Sequence, residues 1–131
     1  MISVDTSVVV RYLVGTPTDQ AQRALALMES DQDIGIPLVV LIETAHVLRT
    51  AYGVDRGAVV GVLIELLTRE NMRLIGMSNE VALIALAGAR ATASGPVADA
   101  LIAAQARSAG AMPLYSFDKD MQRHGVPVES P

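Results

Sequence analysis

The chain has 131 residues, of which 51% are hydrophobic and 18% charged, and it contains no cysteine. Such a chain is long enough for one domain with a substantial core and too apolar to stay disordered, while disulfides and thiolate metal sites are excluded. The net charge of −4 and a pI near 5.0 argue against a broadly basic nucleic-acid binder. Lys119 is the only lysine among the ten cations, the rest being arginine. Arginine suits bidentate phosphate contacts, and the same bias also follows from a GC-rich genome. The longest apolar stretch, residues 36–42, contains Pro37 and stops at Glu43, far short of the ~20 residues of a membrane helix. The first residues read as a core strand rather than a secretory leader. The expectation is a soluble, cytoplasmic protein.

The chain order begins with a strand over 2–4, followed at once by Asp5. Thr6 and Ser7 are placed to cap an apolar helix over 7–14 that ends at Gly15. Thr16 as N-cap and Pro17 in the first turn predict a second helix running to about Ser30, with Ala21, Leu25 and Met28 facing inward. A second strand over 34–36 is closed by Pro37. A third helix over 38–51 carries Glu43, and Gly53 stops it. Asp55 caps a fourth helix through Val59, Val60, Leu63, Leu66 and Leu67. It is apolar over most of its circumference, which fits either a subunit interface or deep burial. Another strand spans 72–77, and Ser78 caps an alanine-rich helix over 79–93. Ser94-Gly95-Pro96 breaks the chain before a helix over 97–109. A last strand over 112–117 runs into Asp118, and the tail holds a helical turn and a short edge strand around Val126 and Val128. Alternating strands and helices imply a parallel sheet covered on both faces, a three-layer α/β/α sandwich.

Four of the fourteen acids break the ordinary pattern. Asp5 and Asp118 each follow an apolar strand, where open α/β sheets build their sites; each is also explained as a helix cap. If the two strands are parallel neighbours with the first one central, both carboxylates emerge at the same edge. Glu43 shares a helix face with Val39, Val40 and Val47, where a buried carboxylate requires a cation or metal partner. His46, one turn on, is either that partner or a packed histidine. Asp99 lies in the first turn of its helix, favoured there by the dipole, on a face shared with Ile102 and Ala103. Converging carboxylates repel and raise one another's pKa unless a divalent ion joins them. With oxygen ligands and only two histidines, Mg²⁺ or Mn²⁺ fits and a zinc site does not. Metal-activated water attacking a phosphodiester is the chemistry that suits such a site.

The blocks Val-Asp-Thr-Ser-Val-Val-Val-Arg-Tyr-Leu, Leu-Ile-Glu-Thr-Ala-His-Val-Leu, Val-Ala-Asp-Ala-Leu-Ile-Ala-Ala and Tyr-Ser-Phe-Asp-Lys-Asp-Met resemble, in this order, the PIN-domain family. Within it the chain is similar to the VapC-type ribonuclease toxins of bacterial toxin–antitoxin pairs, over essentially its whole length. The resemblance implies a single PIN-like domain over 1–131 whose catalytic cluster is Asp5, Glu43, Asp99 and Asp118. Asp5, Asp99 and Asp118 are the implied metal ligands, with Ser7, Ser116 and Asp120 in support. It further implies a Mg²⁺-dependent endoribonuclease acting on structured RNA (tRNA or rRNA), a cognate VapB-type antitoxin and a homodimer. Pro96 stands where many relatives carry another acid, and His46 where an aromatic is frequent. Arg11, Lys119 and Arg123 lie nearest the acids as a candidate basic rim, or are ordinary solvated surface. A PIN-like binding module without catalysis is the alternative. A receiver-type signalling domain fits poorly, because Asp5 is followed by Thr6 and Ser7 rather than a second acid.

Overall fold

The structure is a computed structural model and describes residues 1–92 and 95–131. Three short strands, β1 (Ile2–Ser3), β2 (Ile34–Pro37) and β3 (Met72–Ile75), form a parallel sheet flanked by helices. Each crossover carries two helices. Between β1 and β2 run α1 (Thr6–Val14) and α2 (Thr18–Met28), and between β2 and β3 run α3 (Leu38–Thr50) and α4 (Arg56–Thr68). After β3 come α5 (Asn79–Ala91) and α6 (Val97–Ser108), then β4 (Leu114–Tyr115), a 3₁₀ helix (Lys119–His124) and β5 (Val128–Glu129). The expected α/β/α arrangement is the one observed.

The middle strand is β2, not β1 as expected. Ile2 and Ser3 pair with Ile34 and Gly35, while Ile34 to Pro37 pair with Met72 to Ile75 on the other side. Ile34, Gly35 and Ile36 are all buried, which only a strand covered on both faces requires. Gly35 allows the close approach, since a Cβ there would meet the Ile75 side chain at 2.7 Å. The last strand differs from expectation too. Only Leu114 and Tyr115 are extended into a ladder, and they pair with Val128 and Glu129 in a separate two-stranded parallel sheet. Ser116 and Phe117 therefore stand between β4 and Asp118, and no ladder joins β4 to β1 among the described residues.

The helices follow local chemistry closely. Gly15 closes α1 in the left-handed conformation at φ 83°, its N–H donating to the Arg11 carbonyl. The caps at Asp55 and Ser78 accept from the backbone N–H groups of Ala58 and Val81. Pro17, rather than Thr16, is the N-cap residue of α2, and its inner face is Ala21, Ala24 and Met28. Leu25, expected inside, is 45% exposed, because α2 leans on α1 through its small residues. In α4, Val59, Val60, Leu63, Leu66 and Leu67 are at most 2% exposed. Deep burial against α3, β3 and α5 accounts for its apolar character, at about 1.5–3 kcal/mol per such side chain relative to exposure. Asn79 ties this region together by donating to the carbonyls of Leu67 and Met72 and accepting from the Leu74 N–H. The expected helix end at Ala93 and the break starting at Ser94 lie outside the described residues. No described helix is long and apolar enough to cross a membrane.

Candidate functional site

The chain leaves the sheet at Asp5. Val4 is buried and its N–H still donates to the Gly35 carbonyl. Asp5 is then extended, at φ −99° and ψ −179°, and is the N-cap of α1. Its Oδ1 accepts from the Val8 N–H at 3.3 Å and from the Ser7 hydroxyl at 2.6 Å. Thr6 and Ser7, expected as caps, instead lie inside the first turn. The Ser7 hydroxyl, then the Val8 amide, hold the exposed Asp5 carboxyl below the usual carboxylate range, with the Arg11 charge a smaller contribution. Asp5 is thus fully ionised at neutral pH.

Glu43 reaches the same place from α3. The buried side of that helix is Val40, Leu41, Thr44, Ala45 and Leu48, which leaves Glu43 exposed at its margin. The expected burial of Glu43 is therefore corrected; Val39, one of the valines grouped with it, is itself 73% exposed. Glu43 is held instead by the Thr6 hydroxyl, which donates to Oε1. Asp5, Thr6, Ser7, Arg11, Glu43 and Tyr52 line one open cleft of about 470 Å³ where α1 meets α3. His46 is exposed and is not the partner of Glu43. It lines a different cleft with Arg49, Pro96 and Val97, between α3 and the start of α6.

Asp99 and Asp118 are carried by later elements of the chain, α6 and the turn into the 3₁₀ helix. Asp99 is half-buried in the first turn of α6, following the N-cap Pro96. Ile102 is 45% exposed, whereas Ala103, one turn beyond Asp99, packs with Met121 and Val126 in a small second core. That core seats the 3₁₀ helix, whose N-cap is Asp118; its Oδ1 accepts from the Asp120 N–H at 2.9 Å. Ser116 steadies the same turn by accepting from the Asp118 N–H at 2.9 Å. Asp120 is exposed and pairs with Arg123 at 3.4 Å, the solvated structural role open to it from sequence. Neither Asp99 nor Asp118 lines the Asp5–Glu43 cleft. Among the described residues no three acids or histidines gather closely enough to hold a metal ion between them.

A PIN-domain family profile matches residues 2–127, a span that includes all four acids. The chain belongs to the PIN-domain family. PIN domains are generally nucleases and typically depend on a metal ion. A comparison with curated proteins finds no match.

The residues present in this PIN domain fit a hard divalent cation. Asp5 and Glu43 offer carboxylate oxygens in one open cleft, and neither is in a salt bridge among the described residues. Mg²⁺ is commonly bound by one or two carboxylates, retained water and substrate phosphate rather than by a closed protein cage. Sequence reasoning passed over Thr6 and Tyr52. Thr6 was legible only as a capping residue, since its contact with Glu43 spans 37 positions.

Proposed function

We propose that the protein is a Mg²⁺-dependent endoribonuclease and the toxin of a toxin–antitoxin pair, cleaving structured RNA such as tRNA or rRNA in the cytoplasm. The observation that carries this reading is the meeting of two exposed carboxylates, Asp5 and Glu43, in one cleft, each held by a hydroxyl from the first turn of α1. Asp5 would hold the metal ion, and the family resemblance implies Asp99 and Asp118 as its further ligands. When bound, that ion neutralises phosphate charge and makes water a stronger nucleophile. The chain's own groups prepare the reaction. The Ser7 hydroxyl and Val8 amide keep Asp5 anionic and fix its orientation. The Thr6 hydroxyl fixes one oxygen of Glu43, leaving the other to orient or deprotonate the attacking water at hydrogen-bond reach. Where Glu43 deprotonates the water, its free oxygen takes the proton as the water oxygen bonds to phosphorus, the bond from phosphorus to the sugar oxygen breaks, and that oxygen takes a proton from solvent.

A VapB-type antitoxin that covers this cleft and a homodimeric toxin complete the proposal. A PIN-like binding module without catalysis is the second reading. It is favoured by the lack of a three-acid group among the described residues. Incubation with structured RNA, in Mg²⁺ and in chelator, alongside Asp99→Asn, tests between them. Cleavage confined to the wild-type protein with Mg²⁺ is expected. No metal-dependent cleavage across a broad RNA panel would favour the binding module, and equal cleavage by Asp99→Asn would point to a contaminating nuclease.

A further inference from the structure

A third cleft, of about 500 Å³, lies between α1 and α2 and is lined by Ser7, Val8, Arg11, Gln20, Arg23 and Leu27, among others. Its lining carries two guanidinium groups and no carboxylate. Ser7 and Arg11 also line the Asp5–Glu43 cleft, so the two adjoin at those side chains. Arg11 is half-buried and oriented: its Nε donates to Gln20 Oε1 and an Nη donates to the Ser7 carbonyl at 3.3 Å. Arg23 is exposed and is in no salt bridge among the described residues. Other arginines are engaged within the fold. Arg69, Arg73 and Arg123 face carboxylates, and Arg56 and Arg107 donate to backbone carbonyls.

An acidic protein that binds a polyanion needs a local positive surface beside its reacting centre. A strand whose phosphate is being cleaved between Asp5 and Glu43 carries its next phosphate one nucleotide away. We infer that the α1–α2 cleft is a subsite for that neighbouring backbone phosphate, gripped by Arg11 and Arg23, with Gln20 holding Arg11 in place. This rests on the ribonuclease reading above and extends it. Planar guanidinium groups suit bidentate phosphate contacts. Contacts to backbone phosphate position a strand without reading its sequence, so the subsite contributes affinity and register, not base choice.

The test uses the full chain and a labelled single-stranded oligoribonucleotide of mixed sequence, with chelator present so that the probe stays intact. Anisotropy is read over a series of monovalent salt concentrations. Arg23→Gln is the clean variant, because Arg23 is exposed; Arg11→Gln is its companion. Arg23→Gln should weaken binding several-fold at low salt and reduce the slope of log affinity against log salt by about 0.7, the value for one phosphate contact on a single strand. Arg23→Lys should keep the slope. Unchanged affinity and slope in Arg23→Gln, with the wild type binding well, would overturn the subsite and leave the ribonuclease reading standing. A wild type that binds a folded tRNA transcript but not this probe would overturn the subsite alone, and one that binds neither would overturn both. Loss of affinity for polyglutamate in Arg23→Gln, with RNA binding intact, would assign the cleft to an acidic protein segment instead.

Discussion

Replacing Asp5 separates two jobs that one carboxylate holds. It caps α1 through the Val8 N–H, and it presents an anion to the cleft shared with Glu43. Asparagine is as good an N-cap as aspartate but carries no charge, whereas alanine cannot cap and costs about 1 kcal/mol. With an unfolding entropy of about 2.1 cal/mol/K per residue, the 131 residues give roughly 0.28 kcal/mol/K, so that loss lowers Tm by about 4 °C. Asp5→Ala should therefore melt about 4 °C or more below wild type, and Asp5→Asn between the two, since it keeps the cap and loses the stability that the charge adds. Both should lose RNA cleavage. The acid limb adds a sign. Folding lowers the proton affinity of Asp5, so its contribution to stability is complete above the ordinary value of about 3.9 and falls away as pH drops through the lower folded value. Stability against pH should be flatter below about pH 4 in Asp5→Asn than in the wild type. Thermal melts from pH 2 to 7 and a cleavage assay on the same preparations check all of this. Asp5→Asn melting as low as Asp5→Ala while still cleaving RNA would refute the division of roles.

Other substitutions probe the rest of the account. Leu63→Ala, at a position fully buried in α4, should cost about 2–5 kcal/mol and lower Tm by roughly 7–18 °C; a shift under about 3 °C would mean that α4 is not packed as described. Asn79→Ala removes a half-buried side chain bonded to three backbone groups, and denaturant melts should show a loss of about 1–3 kcal/mol. Thr44 is fully buried with its hydroxyl unpartnered among the described residues. Thr44→Val should hold or raise stability, and a loss above about 1 kcal/mol would reveal a partner for that hydroxyl. Glu43→Gln touches an exposed residue and should stay within about 0.5 kcal/mol of wild type while cleavage falls by about 10²-fold or more, the scale of a general base.

The elements legible from sequence were those written in local chemistry. Gly15, Asp55 and Ser78 announce helix ends and starts by residue type alone, and the structure has them in those roles. The alternation of strands with helices carried the fold class for the same reason. Strand order was harder, because β1 and β2 are both short β-branched runs and only burial on both faces distinguishes the middle one. Glu43 illustrates a second limit. Helical periodicity grouped it with three valines but could not say that this margin of α3 is left exposed. Its tie to Thr6 is a contact between distant positions, invisible to any local pattern. The same holds for Arg23, which looks like an ordinary solvated residue on a polar helix until α1 brings Arg11 alongside. At the far end, capping proved true of both Asp5 and Asp118, so the ordinary role and the proposed chemistry coexist in one side chain.

The central claim is that carboxylates from separate parts of the chain share one divalent ion. Titration of the purified protein with Mn²⁺, read by the loss of the free-ion electron paramagnetic resonance signal, tests it without recourse to any substrate. Saturable binding by the wild type, weakened about 10-fold or more in both Asp5→Asn and Asp99→Asn, is the predicted result, the scale on which disturbed metal sites lose affinity. A wild type that leaves Mn²⁺ free, or one whose affinity neither substitution changes, would contradict the account.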